Sequence, residues 1–300
     1  MTGNASRAAV AAAAAGALVG SGIVATRLVI AQSDPAALAF LRYVIGVLCL
    51  LPPLALAGWS RIAPRDLLPI ALLGIGQFGI LIVLLNYGLQ FMPSARGALL
   101  FATFPLMTML LAAALGKERL TPFKIVGVTA TVIGVGLVFG EKALQPGTAG
   151  WIGEIAVLGS AFCGALCSVL YRPYLQRYPP LTVSAFAMFA SVLFLGALTG
   201  ADGFFAQWPD YTAGGWFAVG FIGISSGIGY YLWLWALKHT TPTRVAVFLS
   251  LSPITATVPG ALVLFEPVSA TFLIGLAAVA FGLIVAHRDK DHPKAIQTPD

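Results

Sequence analysis

The sequence predicts an all-α integral membrane protein with ten transmembrane helices, built as two inverted-topology five-helix repeats. Three observations carry this prediction: a composition suited to lipid, ten apolar stretches of spanning length, and a self-similarity between the two halves.

Hydrophobic residues make up 59% of the 300-residue chain, against roughly 45–50% apolar usage in soluble domains. Charged residues make up 9%, against about 25%. Seventeen basic and eleven acidic side chains cannot cover the surface of a soluble protein of this size. The mean hydropathy of +0.91 agrees. A soluble enzyme, a nucleic-acid binder, a disulfide scaffold and a disordered chain are thereby disfavoured. Cys49, Cys163 and Cys167 all lie within apolar runs and make no disulfide framework. Arg7 followed by alanines resembles a signal peptide, but the apolar run continues to Ile30, which is long enough to span.

A spanning helix needs about 20 mostly apolar residues. Polar breakers mark the boundaries: Ser33-Asp-Pro35, Ser60 to Pro64, Met92-Pro-Ser94, Gly116 to Arg119, Glu141-Lys142, Arg177 to Pro180, Thr199 to Thr212, Lys238 to Pro242, and Glu266-Pro267. The expected spans are 8–30, 36–57, 67–91, 95–115, 121–140, 152–171, 181–199, 214–237, 244–265 and 268–287. These runs are continuously apolar, whereas the strands of a membrane barrel alternate over about ten residues.

With a cytoplasmic N-terminus, thirteen of the seventeen basic residues fall inside, Arg61, Arg65, Arg172 and Arg177 among them. Arg27, Arg96 and Lys142 fall outside, and Arg42 lies within a span. Such a bias orients the chain by the positive-inside rule and puts both termini in the cytoplasm.

Shifting the sequence by 148 aligns Tyr87 with Trp235, Arg96 with Arg244, Pro105 with Pro253, Glu118 with Glu266, Gly127 with Gly275 and Gly134 with Gly282. Upstream, a shift of 145 aligns Arg27 with Arg172 and Pro35 with Pro180. Apolar matches arise readily by chance, but Arg, Pro and Glu matches at one shift do not. The expected domains are 8–140 and 152–287, with a cytoplasmic tail at 288–300. Five spans is an odd number, so the second copy enters the bilayer from the opposite face. Inverted repeats are a common architecture of secondary transporters.

The stretch Tyr87 to Leu100, then Phe104-Pro105-Leu106, Leu115 to Pro122 and Gly127 to Gly136 resembles an EamA repeat, and Trp235 to Arg244, Ser252-Pro253 and Glu266-Pro267 resemble a second. The second copy departs from the pattern at Pro267, where the family usually has a basic residue. The resemblance covers nearly the whole chain and implies the ten-helix branch of the drug/metabolite transporter superfamily. It further implies export of amino acids or other small metabolites through the bacterial inner membrane, with bacterial aromatic amino-acid exporters as the nearest type.

Intramembrane polar groups are the candidates for a solute site. Arg42 lies about 10 Å along its helix from Pro35, at ~1.5 Å per residue. It reads foremost as a structural anchor bonded to helix-end carbonyls, and alternatively as partner of a substrate carboxylate. Its repeat partner at 187 is alanine. Gln77, paired with Ser225 in the repeat, reads as a cavity group or as a bond between helices. Asn86, nine residues on, falls about 180° around the helix and cannot share Gln77's cavity.

The eighth span carries a close-packing face at Gly223 and Gly227, and a polar-aromatic face at Ser226, Tyr230 and Trp233. Tyr231 and Trp235 suit an interfacial belt. Pro105 and Pro253 are matched kinks, hinges or cavity walls that release the carbonyls of Phe101 and Leu249. Ser250 and Thr257 share a stripe with Pro253. Ser160, Cys163 and Cys167 form a small-residue stripe that reads as packing.

Among the acidic residues only Glu154 approaches a span interior, at its mouth. A carboxylate proton relay and a counter-ion for drug cations are therefore both poorly supplied. No metal motif, phosphate-cradling loop or cofactor site is present. The expected partners are a small-molecule solute and the bilayer, with neither nucleic acid nor an ATPase subunit. Export of small metabolites, amino acids first, is the expected function; efflux of drug-like cations and a non-transporting scaffold are the alternatives.

Overall fold

The computed structural model describes residues 2–117, 121–143, 151–206 and 209–287. Their regular elements are all helical. We number ten helices: α1 (Ser6–Gln32), α2 (Pro35–Ala57), α3 (Pro64–Leu89), α4 (Ser94–Ala114), α5 (Pro122–Ala143), α6 (Ile152–Arg177), α7 (Pro180–Ala201), α8 (Ala213–His239), α9 (Pro242–Val263) and α10 (Ala270–His287). All but α5 and α10 are long and apolar enough to cross a membrane by the residues described; those two have shorter apolar cores, Ile125–Val138 and Ala270–Gly282.

Local chemistry sets the boundaries. The Asp34 carboxylate accepts the Ala36 and Ala37 amides at 2.7 and 3.2 Å and caps α2, whose first residue is a proline. Thr212 caps α8 by accepting the Gly215 amide at 3.1 Å. One boundary differs from expectation. The sixth helix continues past residue 171 to Arg177, through Pro173. A single proline removes one backbone bond, and Tyr171 and Leu175 on either side of it are fully buried. The helix ends where Tyr178 turns extended, two residues before Pro180 and directly ahead of Pro179.

The two halves run antiparallel. A Cβ placed on Gly134 would lie 2.6 Å from the Gly275 carbonyl oxygen, and one on Gly282 would lie 2.5 Å from that of Gly127. Moving seven residues along α5 thus moves seven residues backwards along α10. The glycines aligned in the repeat, 127 with 275 and 134 with 282, exchange places across the contact. The other packings pair in the same way: α1 lies on α8 as α6 lies on α3, and α1 on α9 as α6 on α4.

The ends of the bundle bring the halves together. At one end Arg177 meets Asp66 at 3.3 Å and the Tyr178 hydroxyl donates to Asp66 at 2.6 Å, so the basic clusters 61–65 and 172–177 share that end. Lys117 joins them and donates to the Val169 carbonyl at 3.2 Å. Burial, and then the Arg172 charge, hold its ammonium below the usual lysine range. At the other end Glu266 of the second half receives the amide and hydroxyl of Ser94 from the first. Glu118, the repeat partner of Glu266, and the tail at 288–300 lie outside the described residues.

Candidate substrate cavity

A cavity of about 70 Å³ lies between α1–α4 and α8–α9. Both repeats contribute to it. Arg42, Gln77, Ser226, Tyr230 and Trp233 all line it, and Ser225, the repeat partner of Gln77, joins them. Ser250 lies on the adjoining helix, but its side chain is outside the described residues. Among the described lining residues Arg42 carries the only charge.

Arg42 is held differently from the foremost sequence expectation. Its Nε donates to the Ser226 hydroxyl at 2.6 Å, not to a helix-end carbonyl. Ser226 in turn donates to the Ile222 carbonyl at 2.6 Å, so its hydroxyl hydrogen is committed and its oxygen is free to accept. The contact is possible because α2 and α8 approach closely. A Cβ on Gly227 would lie 2.8 Å from the Gly46 carbonyl oxygen. The glycine face of α8 therefore brings its neighbouring polar face to Arg42. The guanidinium is 9% exposed and sits 5.7 Å from the Tyr43 ring centroid. Among the described residues it has no carboxylate partner.

Gln77 lies in a π-helical turn, Ile75–Ile80, that interrupts α3. Such turns widen the helix by one residue and recur at functional sites. The widened turn is gripped from outside by α6: the Cys163 thiol lies 3.3 Å from the Gly76 carbonyl oxygen, and Cys167 packs where a Gly76 Cβ would go. This is the packing role expected of the cysteine stripe. Gln77 is 4% exposed, and its Oε1 has no hydrogen-bond partner. Asn86 instead donates to the Pro35 carbonyl at 3.0 Å and is not among the lining residues.

Aromatic rings form the wall. Tyr43 and Tyr230 line the cavity, backed by the fully buried Phe78, whose centroid lies 4.1 Å from that of Tyr230 and 5.0 Å from that of Tyr43. Phe104 lies 5.7 Å from Trp233 and 5.6 Å from Phe101. The Tyr230 hydroxyl, like Gln77 Oε1, has no hydrogen-bond partner. Sequence reasoning missed Tyr43, Phe101 and Phe104 of the lining and Phe78 behind it, because an aromatic ring in an apolar span reads as core. The signals were present: Tyr43 adjoins Arg42, Phe78 adjoins Gln77, and Phe101 and Leu249 are the positions four residues before the matched prolines.

Those prolines sit at matched breaks. The α4 helix is broken at Ala102–Thr103, and Pro105 opens the following segment. The α9 helix tightens into a 3₁₀ turn at Phe248–Ser250 just before Pro253. Both Phe101 and Leu249 face the cavity. The carbonyl that Pro253 cannot serve, that of Leu249, accepts the Ser252 hydroxyl at 2.6 Å. Thr257 donates to the Pro253 carbonyl at 2.6 Å and is likewise committed to its own helix. Glu154 is buried in the first turn of α6, away from the cavity lining. Tyr231 and Trp235 border a surface recess with Arg7 instead of the cavity.

The comparisons with known proteins agree with this architecture. The model of the EamA-like transporter family matches twice, over residues 6–140 and 151–287. An uncharacterized transporter of Archaeoglobus fulgidus is 26% identical over 86% of this chain and 90% of its own length. A probable terminal-alkyne amino-acid exporter of Streptantibioticus cattleyicolor is 30% identical over 77% of this chain and 76% of its own. One crystal structure superimposes with a TM-score of 0.71 at 23% identity, over 93% of this chain and 95% of that one, which is a likeness of fold.

Proposed function

Because the chain belongs to the EamA-like transporter family, we propose that it is a secondary transporter exporting small metabolites, amino acids first among them and aromatic ones included. In this reading the solute occupies the central cavity, and the two repeats rock about it to open one end of the bundle and then the other. The observation that carries the reading is the cavity itself: both repeats line it, and one buried cation, unpartnered neutral acceptors and an aromatic wall face inward. A solute with a carboxylate, hydrogen-bonding groups and an apolar body complements that lining. The 30% identity to a probable amino-acid exporter supports the same class. Drug-like cations fit poorly, since Arg42 repels them and none of the described lining residues is acidic.

The basic bias supports a bacterial inner membrane location with both termini cytoplasmic, and the contact of Arg177 with Asp66 supports placing 61–65 and 172–177 on one side. The Glu266–Ser94 contact then closes the external end. Flux of labelled amino acids into liposomes holding only the purified protein tests the function. Flux well above protein-free liposomes is expected, and its absence for every solute screened would sink the proposal.

A further inference from the structure

A buried arginine without a counter-ion needs explaining. Removing a guanidinium from water is costly unless hydrogen bonds and an opposite charge replace its hydration. Arg42 has one such bond, from Nε to Ser226. The two Nη groups, which form the fork that takes a carboxylate end-on, have no hydrogen bond to a described protein group; Gly22 lies beside them, and a Cβ there would stand 3.7 Å from Nη2. Glycine there leaves space beside the fork. Ser226 fixes the side of the guanidinium that a solute does not need.

The rest of the lining is neutral. Gln77 Oε1 and the Tyr230 hydroxyl await partners, and both would serve an amine, an amide or a hydroxyl alike. Among the described lining residues no acidic side chain is present to pair with an ammonium. Tyr43, Tyr230, Phe104 and Trp233 offer ring faces and edges to an apolar body.

We infer that Arg42 is the specificity-determining residue of this cavity, which recognises small acids with an apolar or aromatic body by their carboxylate and does not require their amine. The inference rests on the cavity being the solute site proposed above.

Four probes that share one phenyl group separate the terms: phenylalanine, N-acetylphenylalanine, phenylalaninamide and 2-phenylethylamine. Isothermal titration with the purified protein in nanodiscs is expected to give the two acids affinities within about threefold of each other. The two carboxylate-free amines should bind at least about tenfold more weakly, since a charge-assisted pair is worth about ten- to hundredfold. Arg42→Gln should remove that gap by weakening the acids alone, and Arg42→Lys should restore part of it. Amines binding as well as acids, loss of binding on N-acetylation, no binding by any of the four, or an undiminished preference in Arg42→Gln would each overturn the inference. If Arg42→Gln does not fold, Ser226→Ala loosens the guanidinium and should weaken the acids several-fold while leaving the amines unchanged; an equal effect on both would count against it. Flux is read separately in liposomes: binding of acids without flux would sink the transport reading and leave the carboxylate site standing.

Discussion

The Glu266 carboxylate of the second repeat accepts the Ser94 amide at 2.8 Å and its hydroxyl at 2.5 Å, capping the first turn of α4 in the opposite repeat. Gly260 makes room for the contact, because a Cβ there would lie 2.7 Å from Ser94 Oγ and 2.9 Å from Glu266 Oε2. Arg27 stands farther off, at 3.9 Å. In the second repeat Pro242 occupies the place of Ser94 and offers neither an amide hydrogen nor a hydroxyl. Pro242 therefore cannot donate to a carboxylate as Ser94 does. Glu266→Ala is expected to cost about 1–3 kcal/mol, the value of a charged acceptor on a helix N-terminus with its hydroxyl partner. Ser94→Ala should cost less, and nothing further once Glu266 is gone. Thermal melting of the two single variants and the double variant checks this; additive losses would mean that the two residues act separately.

Gln77 carries a prediction about both stability and flux. A structural amide that bonds neighbouring helices destabilises the protein when removed, but Gln77 Oε1 has no partner. Gln77→Leu removes a buried unsatisfied acceptor and should leave the melting temperature unchanged or raised, while flux falls several-fold. A clear loss of stability with flux retained would identify Gln77 as a bond between helices instead.

The crossing of α5 and α10 makes a sharper structural prediction. At Gly134 and Gly282 an added methyl meets opposing backbone at 2.6 and 2.5 Å, where no flexible side chain can swing aside. Each substitution by alanine must push the helices apart, at about 1–3 kcal/mol for overpacking. Gly136, on the same helix as Gly134 and with open space at its Cβ position, is the control. Gly136→Ala should be neutral in melting experiments, and a destabilisation equal to that of Gly134→Ala would refute the crossing geometry.

The fold was more legible than the site, for physical reasons visible in single residues. Lipid leaves the spans continuously apolar, and the repeat shows in the few residues that apolar drift cannot imitate: Arg96 and Arg244, Pro105 and Pro253. Asn86 is apart from the cavity that Gln77 lines, but the π turn at Ile75–Ile80 breaks the regular spacing from which that separation was expected. The partner of Arg42 could not be read, because it depends on the rotation of α8 and on the close approach allowed by Gly46 and Gly227. The π turn around Gln77 left no mark in the sequence beyond its glycines, and the Cys163 and Cys167 side chains that pack on it come from another helix. The expected sixth span stopped at 171 because the apolar run ends at Arg172, whereas the helix continues through Pro173 to Arg177 with Tyr171 and Leu175 buried.

The matched prolines yield the last prediction. Pro105 and Pro253 each withhold a backbone hydrogen from a carbonyl on the cavity wall, but the two places are not equivalent. Ser252 already donates to the Leu249 carbonyl, so restoring an amide hydrogen at 253 competes with a bond in place. At 105 the adjacent hydroxyl, that of Thr103, goes to the carbonyl of Leu100 and not to that of Phe101. Pro105→Ala therefore offers α4 a bond that it lacks, worth about 1 kcal/mol and partly offset by a more flexible unfolded chain. If the break at Ala102–Thr103 flexes during the solute cycle, closing it should slow flux several-fold while melting changes by no more than about 1 kcal/mol. Pro253→Ala should slow flux less. Flux assays on both variants decide the matter: unchanged flux in Pro105→Ala would make the break a static shape of the wall, and a larger effect at 253 than at 105 would show that hydroxyl capture of the carbonyl does not govern the hinge.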